Sequence, residues 1–168
     1  MAELAKTCFP PVVDAHTRLL ILGSLPGDAS LQAAQYYAHP RNQFWRLLEQ
    51  VLQQPLIALP YAQRLCCLQG RGIGLWDVVA QAQRQGSLDT AIRAASHNDL
   101  TTLCMGLPQL QALAFNGATA ARIGSKQLQG EASLLQLLTL PSSSPAHTMP
   151  FEQKLTQWLP LRSVLVPG

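Results

Sequence analysis

A dense group of aromatic and polar side chains lies between Tyr36 and Asn42. These seven positions hold two adjacent tyrosines, a histidine, an arginine and an asparagine. A tyrosine ring offers a flat face on which a planar heterocycle can stack, and an asparagine amide can orient a water molecule. The group therefore suits a site for a flat ligand. Tyrosines ahead of a helix also commonly pack into a core, and Asn42 could simply cap that helix.

Further polar clusters follow apolar runs later in the chain. Asn116 comes directly after a run that ends at Phe115, Asp77 follows another, and a serine- and proline-rich stretch occupies 141–147. Asn116 and Asp77 offer hydrogen bonds to the edge of a heterocycle, while serine hydroxyls and backbone N–H groups suit phosphates. Each cluster taken singly also fits an ordinary turn or surface loop.

The apolar runs predict a sheet that brings these clusters together. A continuous run at 19–22 suits a strand that is buried on both faces, and the glycines and proline of 23–27 turn the chain at its end. Since helical patterns separate the strands, we expect an α/β fold in one domain spanning 1–168. Its architecture is a three-layer sandwich with a central four-stranded, mainly parallel sheet, and ligands bind at the carboxyl ends of such strands.

The element boundaries follow from the same patterns. The predicted strands are 19–22, 72–79, 111–115 and 134–140, with a last extended segment at 163–166. The predicted helices open at Asp28, which could cap the first, and continue at 43–53, 61–68, 88–95, 98–106, 118–124 and 150–159. We expect Ser87 to cap the helix at 88–95, and Asn98 or Asp99 to cap the next one.

Composition bounds the partners and the compartment. Of the 168 residues 12% are charged, and the net charge of +3 is compatible with a nucleic-acid partner without requiring one. No apolar run reaches the ~18 residues of a membrane span, and the first residues lack the apolar core of a signal peptide. We therefore expect no membrane partner and a cytoplasmic location, and a monomer is the simplest oligomeric state.

The cysteines and lysines indicate neither metal binding nor covalent amine chemistry. The four cysteines form no C-x-x-C pair, so buried free thiols are expected, with no metal and no other cofactor. They are Cys8, Cys66, Cys67 and Cys104. Lys126 and Lys154 are the only lysines after Lys6, and we expect neither to adjoin a site cluster. A Schiff-base nucleophile, and with it a β-lyase step, is not expected.

Five stretches of the chain together resemble a known family. Residues 23–27 read Gly-Ser-Leu-Pro-Gly, and residues 37–45 read Tyr-Ala-His-Pro-Arg-Asn-Gln-Phe-Trp. This pair resembles the first motif of the uracil-DNA glycosylase superfamily, in particular its mismatch-specific thymine/uracil branch and, more closely, the DNA-deoxyinosine (hypoxanthine-DNA) glycosylases. The stretch 72–89 is similar to the deoxyinosine group, and 115–117 and 140–146 are similar to the middle and final motifs of the superfamily.

The resemblance implies a DNA repair enzyme of base excision repair. Such an enzyme hydrolyses the N-glycosidic bond of a deaminated base flipped out of DNA, here hypoxanthine in preference to uracil, and leaves an abasic site. It implies that Tyr37 stacks on the base and that Ser142, Ser143 and Ser144 lie in the loop that contacts the DNA backbone. The same loop, from Pro145 to His147, would approach the minor groove and fill the space that the base leaves. Further residues expected to contact the base are Ser24, Leu25, Pro26, His39, Asp77 and Asn116.

One departure from the superfamily pattern falls on the position that activates water. Many members carry Asn or Asp two residues after the first glycine of motif one, and here that residue is Leu25, whose side chain cannot bond water. The deoxyinosine-type members are similar in lacking the polar residue. We assign the positioning of water to Asn42, with a main-chain group as the alternative. His147 is the second catalytic candidate, which would stabilise charge on the leaving base.

Leu25 also keeps a second hypothesis open, a catalytically weak or inactive protein of the same fold that binds damaged DNA. An unrelated phosphate-binding enzyme is disfavoured, because the chain has no G-x-x-x-x-G-K-[ST] motif and 23–27 is not a dinucleotide fingerprint. The sequence leaves open the choice between hypoxanthine, uracil and other lesions. It also leaves open the preference for single- or double-stranded DNA.

Overall fold

The computed structural model describes residues 5–129 and 134–165. The strands are β1 (Lys6–Thr7), β2 (Leu19–Gly23), β3 (Ile73–Asp77), β4 (Val79–Gln83), β5 (Arg93–His97), β6 (Ala112–Asn116) and β7 (Gln136–Leu140). The α-helices are α1 (Asp28–Ala33), α2 (Phe44–Leu52), α3 (Tyr61–Gly70), α4 (Leu100–Met105), α5 (Ala118–Gln127), α6 (Phe151–Trp158) and α7 (Arg162–Leu165). Short 3₁₀ helices lie at Asp89–Ala91 and Leu159–Leu161.

The central sheet contains four parallel strands in the order β3-β2-β6-β7, which confirms the predicted α/β fold. The register sets Gly23 opposite Asp77 and Asn116 opposite Leu140. Because all four strands run in one direction, their carboxyl ends form a single edge of the sheet. The loops that follow these strands therefore start side by side.

Alternate residues of the central strands enter two cores, one on each face of the sheet. On one face, Leu19 and Ile21 belong to a core shared with α2, α3 and α6. On the other face, Leu20 and Leu22 pack with α4, α5 and β4. All four leucine and isoleucine side chains of β2 are completely buried, which explains why this strand reads as a continuous apolar run. The result is the expected three-layer arrangement.

Helix α2 fixes the polar segment that precedes it. Phe44, Leu47, Leu48 and Val51 are buried at helical spacing, while residues on the opposite side of the helix are exposed. The helix ends at Leu52, and the next residue adopts a left-handed conformation. Since its apolar face is anchored in the core, the start of α2 holds the preceding loop at the carboxyl edge of the sheet.

The prediction of a helix at 88–95 is wrong. This part of the chain instead contributes β5 to a small antiparallel sheet of β1, β4 and β5. After the 3₁₀ turn at Asp89–Ala91 the chain continues as β5 and pairs with β4. All five residues of β5 are exposed, so the strand lacks the apolar alternation that would have identified it. Ser87 caps no helix, and its hydroxyl accepts a hydrogen bond from the Asp28 N–H.

Three smaller expectations also need correction. Residues 162–165 form α7 rather than an extended segment, and residue 166 lies outside the described residues. Helix α1 has no side-chain cap, because Asp28 is its first residue and its carboxylate pairs with Lys6 instead. All cysteines are free, but Cys66 is exposed and the other three are only half-buried. The cap predicted at Asp99 is present and accepts from the Thr102 N–H.

Within residues 5–129 and 134–165, none of the helices combines the length and the apolar character that a membrane crossing needs.

Candidate functional site

The carboxyl edge of the central sheet opens into a cleft of about 740 Å³. This volume falls within the ~300–1,000 Å³ that is usual for small-molecule sites. The structure brings all thirteen predicted site residues to the border of this cleft, although it does not give every side chain the contact that was expected. They are Ser24, Leu25, Pro26, Tyr37, His39, Asn42, Asp77, Asn116, Ser142, Ser143, Ser144, Pro145 and His147.

The two adjacent tyrosines have different environments. Tyr36 belongs to the core, and its hydroxyl donates to the Pro10 carbonyl. Tyr37 lies at the cleft with one ring face stacked on Phe44, at 3.8 Å between centroids and 17° between planes. Its backbone is left-handed, with φ of 56°, a conformation that is uncommon for a bulky residue and frequent at functional sites. Tyr37 is therefore the tyrosine that is available to a ligand.

The floor of the cleft lies over Gly23. A Cβ added at Gly23 would stand 2.7 Å from Asp77 Oδ1 and 2.9 Å from the Tyr37 hydroxyl, so both groups converge on this residue. The Tyr37 hydroxyl and Asp77 Oδ2 are buried and have no hydrogen-bond partner among the described residues. Buried polar atoms normally have partners. Two buried polar atoms without a close partner in the described chain therefore lie side by side at the floor of the cleft.

The burial of this floor controls the ionisation of both groups. Burial raises the pKa of Asp77 to about 7; the Arg84 guanidinium opposes this shift, and the Asp89 carboxylate adds to it. Burial also raises the pKa of Tyr37, a shift that the nearby Asn116 side chain opposes. At neutral pH the tyrosine therefore keeps its proton, and Asp77 exists in both forms.

A buried charged network shapes the first loop, residues 23–27. The Arg84 guanidinium donates to the carbonyls of Leu25 and Pro26, at 3.3 and 2.6 Å. It also lies 3.6 Å from Asp89, whose carboxylate accepts from the Ser24 hydroxyl at 2.6 Å. The Ser24 hydroxyl therefore already has a partner in Asp89. The Leu25 side chain is buried in the core, and only its main-chain carbonyl takes part in this network. Sequence reasoning missed both Arg84 and Asp89, although they lie in the stretch that resembles the deoxyinosine group.

Asn42 joins the start of α2 to the cleft. Its Oδ1 accepts a hydrogen bond from the Phe44 N–H, the first of the helix, at 3.0 Å, although the N-cap position itself is Gln43 rather than Asn42. The neighbouring Gln43 N–H donates to the Ser143 carbonyl, which connects the helix to the serine loop, residues 141–147. A carbonyl oxygen has two lone pairs, so Asn42 Oδ1 retains acceptor capacity on the cleft side.

Asn116 and Ser143 bind each other across the cleft wall. The Asn116 amide donates to the Ser143 hydroxyl, and the Ser143 N–H donates to Asn116 Oδ1, both at 2.9 Å. Ser143 is only 1% exposed. Its side chain is therefore not presented to DNA phosphates, and Asn116 has fewer free hydrogen bonds for a base than its sequence position indicates. The pair instead joins the end of β6 to the serine loop.

The remaining serines keep donor groups. The Ser142 and Ser144 hydroxyls accept the N–H groups of Ser144 and Ala146, and each hydroxyl retains its own proton to donate. The Ser144 carbonyl accepts from the Lys154 ammonium at 3.2 Å. Lys154 is 1% exposed and does adjoin a site cluster, so the expectation that it would not is wrong. Since Lys154 does not line the cleft, it supports the serine loop from behind.

The rim of the cleft is exposed and partly basic. His39, Pro145 and His147 are exposed there; the ring of His39 accepts the Arg41 N–H, and the His147 N–H closes a turn onto the Ser144 carbonyl. Leu88 is 55% exposed and also borders the cleft. Sequence reasoning missed it, because the residue was assigned to a helix that does not form. In the described parts of the chain, no three His, Cys, Asp or Glu side chains are grouped to hold a metal ion.

Three comparisons relate the chain to known proteins. The model of the family described as the Uracil DNA glycosylase superfamily matches residues 10–162. The chain is 37% identical over 155 residues to a hypoxanthine DNA glycosylase of Methanosarcina acetivorans, covering 92% of this chain and 96% of that protein. It is 45% identical over 114 residues to a hypoxanthine DNA glycosylase of Methanosarcina barkeri, covering 68% of this chain and 72% of that protein. The solution NMR structure of a proposed uracil DNA glycosylase from Methanosarcina acetivorans matches with a TM-score of 0.85 and 36% identity, over 96% of this chain and 99% of that chain.

Proposed function

This chain belongs to the uracil DNA glycosylase superfamily, and we propose that it is a monofunctional DNA N-glycosylase that releases hypoxanthine, and more slowly uracil, from DNA. The reaction hydrolyses the bond between C1′ and the base and leaves an abasic site. Two relatives that carry the name hypoxanthine DNA glycosylase, at 45% and 37% identity, support hypoxanthine as the preferred base.

The observation that carries the proposal is the floor of the cleft. The partly buried Tyr37 ring and two buried polar atoms without a close partner in the described parts of the chain, on Tyr37 and Asp77, lie together there. An aromatic face matches the flat surface of a base, and stacking is worth ~1–3 kcal/mol per base. The two unsatisfied atoms match the hydrogen-bonding edge of a base that has been flipped out of the duplex.

The reaction does not need a covalent intermediate between the protein and the substrate. As the C1′–N bond stretches, the sugar develops oxocarbenium character and the base takes up negative charge. Water then attacks C1′, so the site must position water and stabilise the leaving base. A buried floor free of competing solvent strengthens each of these interactions. No nucleophilic side chain is required. This agrees with the position of Lys154, which lies outside the cleft and cannot attack the sugar.

Asn42 is proposed to position the attacking water. Its Oδ1 is held by the Phe44 N–H and faces a cleft that also contains the main chain of the first loop. An asparagine is not a base; it orients water through its amide. Leu25 cannot take this role, because its side chain is apolar and packed into the core. His147 is proposed to stabilise the leaving base from the rim.

The surface around the cleft is proposed to hold DNA. The Ser142 and Ser144 hydroxyls and the backbone N–H groups of the serine loop supply donors to phosphates. Pro145 and Ala146 are small, so they fill little of the space that a flipped nucleotide leaves in the duplex. Leu88 is the large apolar side chain on the described rim, and we assign the filling of that space to it. We also propose a cytoplasmic monomer.

A panel of single-lesion oligonucleotides tests the proposal. Duplexes with one deoxyinosine, one deoxyuridine or no lesion are incubated with excess protein, and released base is measured by mass spectrometry alongside alkali cleavage of the strand. We expect release of hypoxanthine faster than uracil, and no strand cleavage before alkali. Absence of both bases from the products would overturn the activity, and strand cleavage without alkali would overturn its monofunctional character.

Leu25 supports one other candidate function, a damage-binding protein that has lost hydrolysis. Its apolar side chain occupies the position where many superfamily members carry the residue that activates water, and Asn42 is already engaged with α2. Tight binding to a deoxyinosine duplex that stays intact after prolonged incubation would favour this candidate. The same panel therefore separates the two functions.

A further inference from the structure

One carboxyl oxygen at the floor of the cleft has no role in holding the fold together. Asp77 is 3% exposed, its Oδ2 has no hydrogen-bond partner among the described residues, and it borders the cleft. A buried carboxyl without a partner is costly to the fold. Such a group persists where a ligand completes it, and the ligand here is the edge of a base.

The surroundings of Asp77 favour a carboxyl that carries its proton. Five charged or titratable groups face it: Arg84 and Asp89 from the β4–β5 connection, the Tyr36 and Tyr37 hydroxyls, and Cys8 beside β4. The guanidinium of Arg84 is shared with Asp89 and the two carbonyls of the first loop, so it neutralises Asp77 only in part. Burial dominates, and it raises the pKa of Asp77 to about 7. A further neighbour, Asn98, is neutral and donates to the Asp77 main-chain carbonyl.

We propose that Asp77 is the general acid of the reaction and donates its carboxyl proton to N7 of the departing hypoxanthine. The inference rests on the proposed function and names the group that makes a purine a good leaving group at this site. N7 lies on the edge of a purine away from the sugar bond, where a floor residue can reach it while the ring stacks on Tyr37.

The step balances in electrons and protons. The C1′–N9 bond breaks, and its electron pair enters the purine ring. The ring takes the Asp77 proton at N7, which gives neutral hypoxanthine. The water held near Asn42 forms the new C1′–O bond and loses one proton to solvent, and Asp77 regains a proton from solvent before the next turnover. The sum is nucleoside plus water giving base plus abasic sugar.

The same arrangement accounts for a purine preference. Uracil has no N7, and its departing negative charge is carried on N1 and the two carbonyl oxygens, so a proton donor at the N7 position contributes less to its release. General acid catalysis typically contributes ~10²–10⁴-fold. An acid aimed at N7 therefore raises the rate for hypoxanthine more than the rate for uracil.

Single-turnover rates of wild type and Asp77→Asn on deoxyinosine and deoxyuridine duplexes, between about pH 5.5 and 9, test the role. Wild type should lose hypoxanthine release about tenfold per pH unit above the Asp77 transition. Asp77→Asn should release hypoxanthine about 100-fold or more slowly, with no such transition, and its loss on uracil should be smaller. Thermal unfolding and DNA affinity of the variant verify that the fold and binding persist.

Different failures have different meanings. If wild type releases neither base at any pH, the proposed function itself is wrong. If wild type releases hypoxanthine and Asp77→Asn keeps the same rate and pH profile, only the acid role is overturned. Wild-type activity that increases with pH through neutrality would also overturn it, because Asp77 would then act as an ionised acceptor. An equal loss on both bases, without a change of pH profile, would assign Asp77 a structural role.

Discussion

Asn42 serves two purposes with one side chain. The amide oxygen caps α2 through the Phe44 N–H and also faces the cleft, where we propose that it orients water. Any test of the second purpose must leave the first one intact. Serine is a good helix cap but has no amide, so Asn42→Ser separates the two purposes, whereas Asn42→Ala removes both.

Both substitutions at Asn42 should lower the single-turnover rate on deoxyinosine DNA by about 100-fold, because both remove the amide that orients the attacking water. Asn42→Ala should also lose ~1 kcal/mol of stability from the missing cap, and Asn42→Ser should lose little. Rate measurements under enzyme excess and thermal unfolding check these effects. If Asn42→Ser retains full activity, a main-chain group positions the water instead.

Tyr37 should contribute mainly to affinity. Tyr37→Ala removes the ring that stacks between Phe44 and the base, so the Kd for deoxyinosine DNA should increase by the equivalent of ~1–3 kcal/mol. Tyr37→Phe keeps the ring and loses the hydroxyl that we propose bonds the base, so its Kd should increase by the equivalent of ~0.5–1.5 kcal/mol, less than for Tyr37→Ala. Fluorescence anisotropy with a labelled duplex measures both. A similar loss of affinity in the two variants would show that the hydroxyl, rather than the ring face, dominates binding.

The site residues could be identified from the sequence, but the hydrogen bonds between them could not. Polar residues directly after apolar runs are visible in the sequence, and parallel strands guarantee that they share an edge. The bond between Asn116 and Ser143 depends on how two loops 27 residues apart approach each other. The burial of Lys154 against Ser144 likewise depends on where α6 docks, which no local pattern encodes.

At the scale of elements, the strands were predictable wherever burial dictates composition. β2, β3 and β6 are apolar because helices or β4 cover both of their faces, and these strands and the more exposed edge strand β7 were all identified. β5 was not, because its side chains are exposed and only backbone pairing with β4 holds it. Local helix preference in 88–95 was overridden by that pairing, which is a tertiary effect.

The connection between β6 and the serine loop should behave as one unit. Asn116→Ala leaves the buried Ser143 N–H without a partner and should destabilise the protein by ~1–3 kcal/mol. Ser143→Ala removes one bond and leaves the N–H satisfied, so it should cost less. Denaturant unfolding of both single variants and the double variant should give a coupling energy above ~0.5 kcal/mol. Additive effects would indicate that the two residues act independently.

Leu88 should matter only for duplex DNA. Leu88→Ala removes the side chain that we assign to the vacated space, so release of hypoxanthine from a duplex should slow by about tenfold, since unstacking costs a few kcal/mol. Release from single-stranded DNA should be unchanged. Met105→Ala is the matched control, because Met105 is 81% exposed and does not border the cleft. Equal slowing on both substrates would argue against this role.

At the scale of the whole molecule, the site lies where the fold buries an ionisable side chain away from solvent. The cleft floor lies between the two cores, and Asp77 is enclosed by the first loop, Tyr37 and β4. A raised carboxyl pKa in the folded state means that the folded protein binds this proton more tightly than the unfolded chain. Stability is therefore lost as pH rises from the unfolded pKa through the folded one.

Asp77→Asn should show this linkage directly. Below about pH 4 both side chains are neutral and the two proteins should be similarly stable. As pH rises to about 7, wild type should lose stability relative to the variant, and above that the difference should level off at a few kcal/mol, on the order of 1.4 kcal/mol per unit of pKa shift. Denaturant unfolding across this range measures the difference. A constant difference across the range would mean that Asp77 has an ordinary pKa.

The absence of a side chain at Gly23 is a condition for activity in any protein that evolves from this sequence. A methyl group there would enter the space between the Asp77 carboxyl and the Tyr37 hydroxyl, while the main-chain pairing of β2 with β3 needs no change. One missense codon at this position is therefore enough to plug the base-binding floor in a chain that still assembles its sheet. A lineage could lose repair activity in this way and keep a protein that looks intact by size, solubility and secondary structure.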